Sequence, residues 1–221
     1  MTSDLPSFGA GPDRRYALGA MAALLAGSLL SALDAAYPQN TLLQVGPVVL
    51  VAFALPSMMR SWPLSKASWN CLLLFLMLHL FAAHWTYSDV PYERWLGALG
   101  IDLGAILGSD RNMFDRLVHF SFGLLIVRPI VEIATLYAKV DRRLAYLLAI
   151  LFVLASSAAY EIFEWTVAII ASPENAEAYN GQQGDVFDAQ KDIWLTTAGA
   201  VLALLAMHRN YRRWRQDWAK R

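Results

Sequence analysis

The amino-acid sequence predicts an all-α, polytopic membrane protein built as a bundle of six transmembrane helices. Three observations predict it: an apolar composition, six apolar stretches of spanning length, and a one-sided distribution of lysine and arginine. Of the 221 residues, 57% are hydrophobic and 16% charged, against roughly 45–50% and about 25% in an ordinary soluble domain. The apolar excess must face lipid. Eighteen basic and eighteen acidic residues cancel, so no nucleic-acid partner is expected. The single cysteine, Cys71, excludes an intramolecular disulfide and any multi-cysteine metal site.

A span needs about 20 mostly apolar residues, fewer where flanking side chains snorkel. In chain order the stretches that qualify are residues 16–36, 42–58, 68–83, 114–137, 144–170 and 188–207. The first exceeds the ~7–15 apolar residues of a signal peptide, and the arm before it carries Asp4 and Asp13, so it is expected to remain as a span. Two connections are long, residues 85–113 and 171–187. Within the former, Trp95, Leu99, Leu103 and Ile106 recur at helical spacing, which suits an amphipathic helix in the membrane interface. Gly97, Gly100, Gly104 and Gly108 weaken that helix. No internal repeat is visible, so residues 1–221 read as one membrane domain.

Basic residues avoid the translocated side of a membrane. Thirteen of them (Arg14, Arg15, Arg60, Lys66, Lys139, Arg142, Arg143, Arg209, Arg212, Arg213, Arg215, Lys220 and Arg221) fall at one set of helix ends. Arg94, Arg111, Arg116 and Lys191 fall at the other, with Arg128 inside the fourth span. Both termini are therefore expected in the cytoplasm of a bacterial inner membrane, leaving an external face rich in acids.

Ionisable groups within a membrane are costly and tend to face a bundle interior. In the fourth span Asp115 and His119 lie four apart on one helical face, with His119 about 7–8 Å inward. Glu161 and Glu164 of the fifth span reach a matching depth from the other direction. In the sixth, Asp185, Asp188 and Asp192 form a stripe that continues through Thr196 and Gly199. His79 and His84 stand near the outer end of the third span. Acids at such density cannot all stay charged and unpaired, and a bound cation would resolve the conflict. Structural roles compete with this reading. Asp188 can cap its helix, His79 can be a packing histidine, Asp115 with Arg116 an interfacial ion pair, and Arg128 with Glu132 a structural pair at four-residue spacing.

Four segments are specific. LHLFAAHWTYSDVP (residues 78–91), RNMFDRLVHF (111–120), YEIFEW (160–165) and GQQGDVFDAQKDIW (181–194) resemble the bacterial YjdF-like inner-membrane family, over about residues 73–202. The resemblance marks His79, His84, Asn112, Asp115, Arg116, His119, Glu161, Glu164, Gln183, Asp185, Asp188, Gln190 and Asp192 as the family's recurring polar positions. More loosely, the layout resembles VanZ-like membrane proteins, a fold-level analogy that implies an envelope or lipid-related role and supplies no reaction.

Two function classes follow. In the first, a metal-dependent enzyme acts on a lipid or other envelope substrate. Its divalent ion, Mg²⁺, Mn²⁺, Fe²⁺ or Zn²⁺, is held by His119, Glu164, Asp188 and Asp192. Glu161 then serves as general base on metal-bound water, and Arg116 holds a phosphate-bearing headgroup. In the second, the same groups bind a cation or protons in a carrier or sensor without chemistry. The thin polar path toward the cytoplasmic side favours a one-sided site and hence the enzyme.

Overall fold

A computed structural model describes residues 11–62 and 64–218; Asp4, Lys220 and Arg221 lie outside the described residues. The described chain is helical without strands, in the order α1 (Arg14–Ala32), α2 (Pro38–Ser61), α3 (Lys66–His84), α4 (Tyr92–Gly97), α5 (Leu103–Leu107), α6 (Phe114–Leu136), α7 (Arg142–Ile170), α8 (Pro173–Asn180) and α9 (Asp188–Trp218). The boundaries follow from local chemistry. Asp13 caps α1 by accepting from the Tyr16 amide, Ser65 caps α3 through Ser68, and Asp141 caps α7 through Arg143 and Leu144. Pro38 opens α2, where its missing N–H costs nothing.

Five helices, α1, α2, α3, α6 and α7, are long and apolar enough to cross a membrane. The expected sixth span is the first two-thirds of α9, whose apolar stretch lies between Asp188 and Asp192 at one end and Arg209 at the other. That mixed composition keeps it out of the set defined by length and hydropathy alone, although it packs on α6 and α7.

The interfacial helix expected between the third and fourth spans is instead two short helices, α4 and α5. Gly100, at φ +78°, breaks the run in the left-handed region that glycine alone enters freely, and Gly108 at φ +64° closes α5. In the other long connection α8 forms unanticipated, capped by Ser172 and ended by Gly181 at φ +60°.

The spans form two groups of three. One comprises α1, α2 and α3; the other comprises α6, α7 and α9; α3 against α6 joins them. The most extensive pairing is α6 with α9, and its closeness has a named cause. A Cβ placed on Gly123 would stand 1.8 Å from the backbone oxygen of Thr196, and one on Gly199 would stand 2.1 Å from that of Phe120. Only glycine permits this approach, as in small-residue crossings of membrane helices. By contrast, α2 and α7 do not pack together anywhere, and α8 is the element that touches both.

At the opposite end of α6, Glu132 is fully buried. It accepts from the Ser65 amide at 2.6 Å, the Ser65 hydroxyl at 2.8 Å and the Ser68 hydroxyl. The expected Arg128–Glu132 pair is not formed: among the described residues Arg128 has no carboxylate partner. Three donors at the start of α3 meet the carboxylate inside the bundle, where a guanidinium would be harder to desolvate.

Candidate functional site

The site lies where α6 and α9 begin and α7 approaches its end. Asp115 in the first turn of α6 and His119 one turn later share a face because residues four apart align on a helix. The α6–α9 glycine contact holds Asp192 opposite them. The result is a buried trio, Asp115, His119 and Asp192, each offering a ligand atom within 4.8 Å of the other two. Asp192 is 2% exposed, and its Oδ1 has no hydrogen-bond partner.

Glu161 of α7 completes the surround, with Oε1 3.9 Å from His119 Nε2 and likewise unpartnered. Asp115 Oδ1 is 3.6 Å from the same nitrogen. These separations exceed hydrogen-bond length. They suit ligands each about 2.0–2.2 Å from a shared ion. The donor set, three carboxylates and one imidazole with no thiolate, fits hard or borderline divalent cations and disfavours Cu(I). Glu164 stands one turn beyond Glu161 on α7, half-buried and outside the trio.

Asp188 has other partners. Arg111 Nη2 lies 2.6 Å from its Oδ1 and Arg116 Nη2 lies 3.5 Å from it. Arg116 is in turn 2.5 Å from Asp185, which also accepts from Lys191 at 2.6 Å. The arginine expected to hold a headgroup is thus engaged by two aspartates. Asp185 lies in the turn before α9, and the stripe predicted for it begins with Asp188. The Lys191 ammonium, helped by Arg116 and the Phe187 amide, holds the Asp185 carboxyl well below the usual range. Gln183, at φ +50°, clamps the loop by accepting from the Asn112 amide at 2.9 Å and donating to the Asn112 carbonyl at 3.1 Å.

His79 and His84, the other two histidines of the predicted group, are not in the trio. His84 Nδ1 contacts the Ser31 carbonyl at 3.2 Å, which ties α3 to α1. His79 Nε2 lies 2.9 Å from the Gln44 carbonyl, an atom that only accepts, so this nitrogen carries the proton and Nδ1 accepts from the Tyr87 hydroxyl.

Beside the trio lies a cleft of about 430 Å³ bounded by α2, α3, α6, α7, Tyr87 and Tyr179. His119 is in its wall. Tyr160 stands with Tyr87 and Tyr179 in its wall. Burial pushes the Tyr179 hydroxyl up to about 12 and that of Tyr87 well above its ordinary value.

Sequence reasoning missed Arg111 and this tyrosine group. Arg111 and Asp115 are spaced four apart, but α6 begins only at Phe114, so no helical register links them. The tyrosines come from three separate segments with no shared periodicity.

No solved structure matches the chain. It is 30% identical over 171 residues to the inner membrane protein YjdF of Escherichia coli (strain K12), covering 76% of this chain and 77% of that protein. Residues 16–213 match the family described as "Predicted membrane protein (DUF2238)", and the chain belongs to that family.

Proposed function

We propose that the chain is a multi-pass bacterial inner-membrane protein with cytoplasmic termini that binds a divalent cation in the outward half of the bundle and uses it enzymatically on a lipid or other envelope substrate. One observation carries this reading: Asp115, His119 and Asp192 converge within 4.8 Å inside the protein, with an Asp192 oxygen that nothing else satisfies. A buried, unpartnered carboxylate oxygen is costly unless a cation meets it. In this reading Asp115, His119 and Asp192 are ligands, and Glu161 is a fourth ligand or the general base on bound water. Glu164 lies behind Glu161, and Asp188 holds Arg111 and Arg116 in place. The orientation rests on the thirteen basic residues at one set of helix ends against four at the other.

Elemental analysis of detergent-purified wild type and Asp192→Asn tests the site. Mg²⁺, Mn²⁺, Fe²⁺ or Zn²⁺ is expected in the wild type and lost in the variant. Thermal unfolding gives a second readout. Metal at 100 times its dissociation constant is expected to stabilise the wild type by about 2.7 kcal/mol, and Asp192→Asn far less. Equal metal content and equal stabilisation in the two proteins would overturn the reading. For orientation, an inside-active reporter that works within residues 175–182 would reverse it.

A further inference from the structure

We infer that the cleft between α2 and α7 is a lateral chamber for one hydrocarbon chain of a membrane lipid, which seats the lipid's ester or phosphoester oxygens between Gln44 and His119.

The chamber exists because two helices do not meet. α2 packs on α1 and α3, α7 packs on α6 and α9, and nothing joins α2 to α7 except the short α8 at one end. The floor is α3 and α6. Both flanking helices are membrane spans by length and composition, so a gap between them faces the bilayer. Leu43 of α2 and Phe163 of α7, both in the lining, are 47% and 42% exposed and mark the mouth. Lipid chains are the medium at that mouth.

Size and depth fit one chain. A cleft of about 430 Å³ lies within the roughly 300–1,000 Å³ typical of ligand pockets. The lining runs along α2 from Leu43 to Val51, eight positions or about 12 Å at 1.5 Å per residue. One leaflet of a hydrocarbon core about 30 Å thick is about 15 Å deep. The walls at the deep end are Val51, Phe75, Phe122 and Ser156.

Apart from Ser156 and Ser157, the polar groups of the lining lie toward one end, and most leave no buried atom unpartnered. His79 bonds to the Tyr87 hydroxyl and to the Gln44 carbonyl, with Tyr160 and Tyr179 beside them in the lining. The Gln44 carboxamide is the exception. Gln44 is 4% exposed, it lines the cleft, and neither its Nε2 nor its Oε1 has a partner. A buried amide without a partner is costly in a dry site. An oxygen-bearing linkage at that depth would accept from Nε2. On the opposite wall His119 belongs to both the cleft and the acidic trio, so a headgroup at this end stands beside the proposed cation. The inference names the substrate class of the proposed cation-dependent reading and rests on it for the fate of the head, whereas chain binding in the cleft is tested without metal.

The shared chemistry is a long hydrocarbon chain ending in an ester or phosphoester, and two sources offer it. The protein is reconstituted, with chelator present, into vesicles of phosphatidylethanolamine and phosphatidylglycerol. One arm contains phosphatidylglycerol with a diazirine in its acyl chain; the other contains a polyprenyl phosphate with a diazirine in its tail. After illumination, peptides are mapped by mass spectrometry. Adducts are expected on the cleft segments around Val51, Phe75 and Phe122, in whichever arm carries the preferred chain. They should fall about tenfold in Val51→Trp and Ser156→Phe, which fill the chamber, and also fall in Gln44→Leu. Asp192→Asn, which removes the proposed metal ligand, should leave them unchanged, so failure of the cation reading is separately visible. Wild-type adducts in both arms confined to outward residues such as Leu50 and Phe53, 73% and 65% exposed, would overturn the inference without recourse to any variant. Cleft adducts that persist undiminished in both filled variants would overturn it as well.

Discussion

The Arg111 guanidinium lies 2.6 Å from the Asp188 carboxylate, with 8% and 7% of the two side chains exposed. The same guanidinium donates to the Gln182 and Gly181 carbonyls. One arginine therefore pins the α8–α9 loop and the start of α9 to the segment leading into α6, the two helices that carry the acidic trio.

Breaking that pair from one side leaves Asp188 only the more distant Arg116 at 3.5 Å, so the cost approaches the roughly 3–5 kcal/mol of a half-broken buried pair as an upper bound. Arg111→Gln is expected to lower stability by that order in detergent. In a double-mutant cycle, adding Asp188→Asn should cost less than the sum of the single changes. Additive losses by thermal unfolding would mean that the two side chains are not coupled.

Asp185 links stability to acid. Its folded carboxyl is depressed below the unfolded value of about 3.9, so the unfolded chain binds its proton first as pH falls. The stabilisation is present above the unfolded value and is lost as pH falls through the folded one. Wild type should therefore exceed Asp185→Asn in melting temperature at neutral pH, and the gap should begin to narrow below about pH 4 and go on narrowing as pH falls toward the depressed folded value. A gap that stays constant across a pH series would contradict the assignment.

Gly123→Ala tests the α6–α9 crossing. The added methyl would meet backbone, the Thr196 carbonyl oxygen at 1.8 Å, so no rotamer change relieves it and the helices must part. A loss of about 1–3 kcal/mol or more is expected, together with weakened metal retention because Asp192 moves away from Asp115 and His119. Gly19→Ala, where nothing lies within 4 Å of the new carbon, should leave both measurements unchanged.

Glu132 should matter for stability and not for the site. Glu132→Ala strands the Ser65 amide and two hydroxyls, and a buried unsatisfied donor costs about 1–3 kcal/mol. Thermal unfolding should show that loss while metal content stays at the wild-type level. Unchanged stability would show that the serines find other partners.

The three spans that start or end at the site were legible because burial in lipid is a property of contiguous residues. Apolar runs and glycine-weakened stretches such as residues 97–108 are local. So was the approximate depth of the polar groups: a rise of 1.5 Å per residue levels His119 with Glu164, although the structure sets Glu161, one turn deeper, beside the imidazole. Partner choice was less legible. Asp188 and Asp192 are four apart on one helix, yet Asp188 meets Arg111 and Asp192 meets the trio, a difference set by how α9 is rotated against α6.

By itself the sequence determined the all-helical class, the membrane environment, where the apolar helices run, and which of them carry acids and imidazoles at a common level. Each follows from transfer free energy and helical periodicity, which depend only on neighbours along the chain. Tertiary structure alone decided that Asp115 joins His119 and Asp192, that Glu132 binds serines in place of Arg128, and that a cleft opens between α2 and α7. These depend on interhelical distance and rotation, and the glycine contact that brings α6 onto α9 has no counterpart drawing α2 onto α7.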